Sequence, residues 1–392
     1  MVFGSPVRSL LGWVIKNEAL YRLTPKVIKR LTRRAVPSHV FNERLWEKEN
    51  PYLGTPDAVR RDFGSEVRVG IVHDFCHYHV NYVKACHDLR LSYEVLRLDA
   101  SDWIHRFEES ESDVFMIWPS NYSTAWKQLF DERLYLLSTR MRRPIFPSLL
   151  ELWLYESKKR VRDWLVLHRI PHPETHVFYS RDEARSFVSQ AALPLVFKTD
   201  LGGASHGVEL VETRKRAAKL VDLCFGKGYR VRRGDDRDRR WGYVIFQQHI
   251  DVRREWRIVR IGESFFCRLK HKRGRFFSGS GVHSWEQPPE GLLDFVFELT
   301  ERFGFLSMAV DFFETGSKSF LVNELQSLFG GIRPENAMRG HEHEGRYVVD
   351  SESGGWVFES GDFYTNACAN LRVACAVQLV QESARLSDET GQ

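Results

Sequence analysis

Four short apolar runs, separated by stretches of helical spacing, open the body of this sequence. VRVGIVHDF begins at Val67, YEVLRLD at Tyr93, DVFMIWP at Asp113 and RPIFPS at Arg143; between the first two, HVNYVKACHDL repeats its apolar residues at helical intervals. Strands alternating with helices predict parallel βαβ units and an open α/β sheet. Ligands of such sheets collect at the carboxyl ends of the strands, which here fall at His73-Asp74 and Pro119-Ser120-Asn121.

From about Glu151 the pattern changes. A helix, ESKKRVRDWLVLHR, stops at Ile170-Pro171, and HVFYS, LPLVFKT, VELVET and YVIFQQHI read as short strands, with helices at DEARSFVSQA and RKRAAKLVDLCF. EWRIVRIGESFFCRLKHKRGRFF predicts two antiparallel strands joined by a turn at Ile261-Gly262-Glu263. Helix GLLDFVFELTERFG, strands SMAVDFFE and SFLVNEL and an apolar helix, TNACANLRVACAVQLVQESARL, follow. Ahead of the body, residues 1–63 form a basic helical extension: Val7, Leu10, Leu11 and Val14 share one helical face, and Thr24-Pro25 starts a second helix carrying Val27, Ile28 and Leu31.

Charge sharpens this division. The first 40 residues hold eight cations against the single anion Glu18, a charge of +7, so in a chain of net charge +5 the remainder carries −2. The basic surplus therefore belongs to the extension, which excludes a nucleic-acid-binding body. An extension of this kind suits peripheral contact of residues 1–40 with anionic lipid, at about 1 kcal/mol per basic residue, or packing on the body or a partner. Six cysteines without a C-x-x-C pair read as free thiols of a reducing compartment and imply no structural zinc. LLGWVI is too short for a signal peptide, and no apolar run approaches the ~18 residues of a membrane span. The expected location is cytoplasmic.

Two stretches carry candidate chemistry. In VFKTDLGGASHGVEL, Lys198 ends a strand and Gly202, Gly203 and Gly207 follow, without the G-K-[ST] of a P-loop or the spacing of G-x-G-x-x-G. A lysine beside backbone N–H groups of a glycine-containing loop suits phosphate held under a mobile lid; a plain hairpin loop is the other reading. In MAVDFFETGSKSFLVNELQSLFGG, antiparallel pairing brings Asp311 and Glu324 together, and Gln326 points the same way. Two carboxylates and an amide oxygen are hard ligands suited to Mg²⁺, and charges embedded in apolar runs need a partner. His73, Cys76, His77 and His79 match no standard zinc spacing; His73, Asp74 and Asn121 are expected to line an acceptor pocket at the strand ends.

Taken in this order, the two features resemble the ATP-grasp superfamily over roughly residues 65–345. The resemblance implies an α/β chain, specifically an α+β ATP-grasp fold. An N-terminal open parallel α/β domain (64–150) precedes a two-lobed module, with a central lid subdomain at 151–250 and a C-terminal subdomain with closing helix at 251–392. It assigns ATP phosphate to Lys158, with Lys159 as the near alternative, and to Lys198, with Gly202, Gly203, Ser205 and Gly207 as the lid. Ile170-Pro171-His172-Pro173 is similar to the family's G-I-P-x-P. The resemblance places Gln248, His249 and Ile250 at adenine, Glu255 at ribose, Arg257 and Lys270 at the transferred phosphate, and Asp311, Glu324 and Gln326 at the metal. Gln326 departs from the usual E-x-N pattern. Ser280 and Arg333 fall in implied substrate loops.

Through the resemblance, the implied activity is an ATP- and Mg²⁺-dependent ligase, with Mn²⁺ as an alternative ion. It would join a carboxylate to an amine through an acyl phosphate. A kinase acting on a hydroxyl and a non-catalytic nucleotide-binding scaffold at a synthase complex are the alternatives.

Overall fold

The structure, a computed structural model, describes residues 59–390 apart from 122, 203–206, 232–236, 273–276, 278–282, 285, 316–318 and 330–344. The N-terminal domain runs through β1 (Arg60–Arg61), β2 (Arg68–Val72), α1 (Val80–Leu89), β3 (Ser92–Leu96), α2 (Trp103–Glu109), β4 (Val114–Met116), α3 (Thr124–Thr139) and β5 (Ile145–Phe146). Its sheet has the order β1-β3-β2-β4-β5, and β3, β2, β4 and β5 are parallel, as the alternating pattern predicts. Glycine is required at Gly70 in β2, where a Cβ would meet the Phe115 ring of β4 at 2.3 Å.

One boundary moves. Arg60–Arg61, expected within the helical extension, is an edge strand antiparallel to β3. Two exposed arginines are tolerated there because an edge strand faces solvent and charge discourages further pairing. The extension through residue 58, with its proposed lipid contact, lies outside the described residues.

The chain then crosses through α4 (Leu149–Leu154) and α5 (Lys158–Leu167) into a second, antiparallel sheet. Its strands are β6 (Thr175–Phe178), β7 (Leu195–Lys198), β8 (Val208–Val211) and, after the short pair β9 (Tyr229–Arg230) and β10 (Arg239–Arg240), β11 (Val244–Gln248), in the order β6-β11-β7-β8. Helices α6 (Arg181–Gln190) and α7 (Arg214–Phe225) cover one face, burying Val188, Leu220 and Val221 against Phe178, Phe197, Val244 and Phe246. Alternation leaves Lys198, Ile245 and Gln247 on the other face.

The third sheet contains β12 (Arg254–Ile261), β13 (Ser264–Lys270), β14 (His283–Ser284), β15 (Ser307–Glu314), β16 (Phe320–Gln326), β17 (Gly345–Val349) and β18 (Trp356–Ser360). Its order is β16-β15-β12-β13-β17-β18, with β14 paired to β13. One face packs Trp256, Ile258, Cys267, Val310 and Phe312 against α8 (Leu292–Phe303) and against Val161 and Trp164 of α5. The opposite face carries Glu255, Arg257, Arg268, Lys270 and Asp311.

The last helix, α9 (Thr365–Thr390), has left-handed backbone at Asn366, Ala367 and Cys368. It was expected to close the C-terminal subdomain, yet Ala369, Val373 and Ala376 are buried in the core of the N-terminal domain, with Val80, Val83 and Trp118. The small residues at these positions let α9 lie against α1, and Asn366 and Asn370 donate to Asp88 of α1 at 2.8 and 3.0 Å. Among the described residues no helix is long and apolar enough to cross a membrane.

Candidate functional site

A cleft of about 470 Å³ separates the lid sheet from the edge strand β16, with the start of α5 at its end. Ser157 caps α5, its hydroxyl accepting from Arg160 N, so Lys158 enters the cleft from the first helical turn. The Lys158 ammonium donates to the Gly202 carbonyl at 2.9 Å and the Asp200 carbonyl at 3.3 Å, and stands 3.9 Å from Glu324 Oε1. Lys159 instead sits 4.2 Å above the Tyr243 ring and pairs with Asp200, so Lys158 is the lysine of the cleft.

Lys198, buried at the end of β7, crosses the cleft to donate to Asn323 Oδ1 at 3.0 Å. Burial pushes its pKa down to about 8, against the pull of Glu324. An anionic phosphate beside it would restore the charged form. Nucleotide binding is therefore expected to take up protons, approaching one per site above pH 8, and ADP affinity to fall as pH rises past that value. Calorimetry in buffers of different ionisation enthalpy measures the uptake.

Of the lid residues, Gly202 and Gly207 are described, with φ of 135° and 81°. A Cβ on Gly207 would meet Thr199 Oγ1 at 2.1 Å, while the Gly207 carbonyl accepts from Thr199 N at 2.9 Å. Gly207→Ala is thus expected to cost about 1 kcal/mol or more through φ alone, read as a lower Tm. Gly203 and Ser205 lie outside the described residues, as do Ser280 and Arg333.

The opposite wall depends on a bulge. Asp311 pairs with Glu324, but the next residue, Phe312, pairs with Val322, so Asn323 is an extra residue on β16. Val322 and Leu325 both enter the core, leaving Asn323 and Glu324 off it side by side. A bulge re-aims side chains in this way, and it presents an acceptor for Lys198 next to the carboxylate. Gln326, two residues beyond Glu324, is buried with its Oε1 lacking a hydrogen-bond partner among the described residues. An orphaned oxygen beside Glu324 and Asp311 fits a hard divalent cation.

Behind this wall lies a buried ionic network. Arg257 clasps Asp311 with both arms, Nε to Oδ1 at 2.6 Å and an Nη to Oδ2 at 2.8 Å. Lys270 donates to Asp311 Oδ2 and to Glu255 Oε1. Burial alone would raise the Asp311 carboxyl, but Arg257 and Lys270 override it and hold it well below the usual range. Glu255 is pushed up, first by burial and then by its acidic neighbours.

No family model and no curated protein matches this chain. Among solved structures, an ATP-grasp RimK domain protein from Sphaerobacter thermophilus shares 16% identity over 78% of this chain and 98% of that one, with a TM-score of 0.48. N5-carboxyaminoimidazole ribonucleotide synthetase from Thermus thermophilus shares 16% identity over 66% and 71%, with a TM-score of 0.48. The corresponding Staphylococcus aureus synthetase complexed with ADP shares 12% over 68% and 71%, with a TM-score of 0.47. The chemistry named for those proteins remains theirs.

Against the ATP-grasp expectation, the structure brings Lys158, Lys198, Glu324 and Gln326 together around one cleft, with Asp311, Arg257 and Lys270 behind it. Two positions, Gln248 and Glu255, lie differently from the expectation. Gln248 is exposed, and its N–H donates to the Glu174 carbonyl at 2.8 Å; strand alternation makes Gln247 the cleft-facing glutamine, donating to Thr175 Oγ1. Ile250, half-buried, follows the strand end. Glu255 is enclosed in the ionic network rather than lining the cleft, because its register partner on β13 is Lys270.

At the strand ends Asp74 is fully buried and accepts from Ser120 N, Cys76 N and Trp126 Nε1 at 2.8–2.9 Å, so it organises the loop instead of facing a pocket. Burial lifts its pKa to about 6. Ring nitrogens of His73, His77 and His79 gather within 4.8 Å. His79 Nδ1 already accepts from Asp74 N at 3.1 Å, which puts its proton on Nε2 and removes it as a metal ligand in that tautomer. Burial lowers the His73 pKa to about 4.

Asn121 reaches Glu156, a residue the sequence reading passed over. Glu156 is buried at the mouth of α5 with φ of 58°, its Oε2 without a hydrogen-bond partner among the described residues. Burial raises its pKa, opposed by Lys158. Its only sequence trace was its place just before the Ser157 cap.

Proposed function

We propose that this chain is an ATP-dependent ligase that joins a carboxylate to an amine. The observation carrying this reading is the convergence on one cleft of two lysines from the lid side with a carboxylate and an orphaned amide oxygen from β16. Lys158 and Lys198 would hold nucleotide phosphate under the lid, and Gln247 and Ile245 would border the base. Glu324 and Gln326, with the Asp311 carboxylate shared by Arg257 and Lys270, would hold Mg²⁺ or Mn²⁺. Such an ion would neutralise phosphate charge when bound.

In the reaction, a substrate carboxylate oxygen forms a bond to the γ-phosphorus of ATP as the bond to ADP breaks. The amine then bonds to the carbonyl carbon, inorganic phosphate leaves and the amine loses a proton. Lys158 and Lys198 would neutralise charge on the moving phosphoryl group, with Arg257 and Lys270 reaching it only if they gave up part of their pairing with Asp311 and Glu255, so the protein would contribute position and electrostatics rather than a nucleophile. The lid keeps water from the acyl phosphate. The testing experiment is a screen of carboxylates crossed with amines, reading ADP and inorganic phosphate. Phosphate release that requires both partners supports the ligase, whereas a phosphorylated hydroxyl without phosphate release replaces it with the kinase. Tight ADP binding without turnover leaves the scaffold.

A further inference from the structure

Among the described residues, the ionic face of the third sheet holds three cations and two carboxylates. Arg257, Lys270 and Arg268 lie there with Asp311 and Glu255, and the first two cations are fully engaged by those two carboxylates. Arg268 is the register partner of Arg257, so its side chain leaves the sheet on the same side. It is 5% exposed and has no hydrogen-bond or ion-pair partner among the described residues. Other buried arginines have partners for part of the guanidinium: Arg260 pairs with Glu301 and donates to the Gly262 carbonyl, Arg240 pairs with Asp238, and Arg372 donates to Ser307 Oγ and the Ala367 carbonyl, while Arg240 Nε and Arg372 Nη2 have no hydrogen-bond partner among the described residues.

Beside Arg268, His283 of β14 faces Lys270 and has a buried Nδ1 without a hydrogen-bond partner among the described residues. On the other side lie Phe266, Tyr364 and Cys368. A buried guanidinium that no carboxylate among the described residues pairs with is unfavourable, and the surrounding positive charge adds to that cost: burial and Arg257 lower the Arg268 pKa to about 10.

We infer that Arg268 is the anchor of an oxyanion subsite whose natural occupant is a carboxylate of the second substrate. The cleft that gathers Lys158 and Lys198 does not include Arg268, which sets the subsite apart from those two lysines. A planar fork of five donors beside a histidine matches a carboxylate in two-point contact. Naming the occupant as substrate rests on the proposed ligase; the anion subsite itself does not.

The test compares thermal unfolding of the wild type, Arg268→Met and Arg268→Gln in buffer free of carboxylate and phosphate, then with succinate, inorganic phosphate or ADP added singly. Without ligand, Arg268→Met is expected to melt higher than wild type, by about 3 °C or more, because an unanswered charge gives way to apolar volume. Succinate should raise the Tm of the wild type and leave both variants unmoved, while ADP stabilises all three alike. A lower ligand-free Tm for Arg268→Met overturns the inference, as does a succinate shift that is absent from wild type or unchanged in Arg268→Gln. An ADP shift lost in the variants transfers the residue to the nucleotide and overturns the carboxylate assignment. Failure of ADP to bind any of them counts against the ligase and leaves the succinate comparison standing.

Discussion

Asp311→Asn is expected to eliminate turnover and to lower stability by about 3–5 kcal/mol, the usual consequence of removing one partner from a buried ionic cluster. Asp311 is wholly buried and answers Arg257 and Lys270 together. Without its charge two cations remain enclosed, with Glu255 as the sole carboxylate between them. The sign with pH follows from the depressed carboxyl: its stabilisation is complete above the ordinary aspartate range and is lost as the folded group titrates at much lower pH. Denaturant unfolding of wild type and variant should therefore differ most near neutrality and converge on acidification. Equal stability at pH 7 would show that the network does not hold the sheet together.

Lys198→Met separates a binding role from a structural one. The ammonium is buried against an amide oxygen, and its depressed pKa of about 8 shows that the fold disfavours its charge. Replacing it with an apolar chain of similar length should leave the ligand-free Tm unchanged or higher. Loss of a buried cation aimed at phosphate should nevertheless reduce turnover by about 100-fold or more, and titration with ADP should show much weaker binding. Wild-type affinity in a well-folded variant would move the phosphate site away from β7. Glu324→Ala is the companion: with a side chain 20% exposed, it should fold normally and lose the dependence of activity on divalent cation.

The elements themselves were largely legible. Local alternation and helical spacing locate the longer strands of all three sheets through β16, because a side chain's inward or outward direction is set by its immediate neighbours; the two-residue strands β9, β10 and β14 fall in stretches that read as loops. The exception at the N-terminal edge, Arg60–Arg61, has no apolar alternation to read. The β17–β18 hairpin went unread as well. Pairing of Asp311 with Glu324 was also readable, since a short turn between two strands sets their register.

Three features needed the folded chain. The bulge at Asn323 shifts register within one strand; its faint trace is the three-residue spacing of Val322 and Leu325, which period-two reading averages away. Choosing Gln247 over Gln248 depends on which face of β11 the helices cover. Glu156 and Arg268 stand out only once burial and the identity of every neighbour are known, since a charged residue in sequence carries no sign of whether a counter-ion reaches it.

The sequence by itself determined the alternation of elements, the two lysines, the acidic strand pair and the concentration of positive charge in the first 40 residues, all of them local properties of the chain. The tertiary structure alone decided that α9 completes the N-terminal core, that Glu255 and Asp311 share Lys270, and that Arg268 is left over. Those facts turn on contacts between segments far apart in sequence, where burial strips away water and makes each charge depend on the partner that the fold delivers.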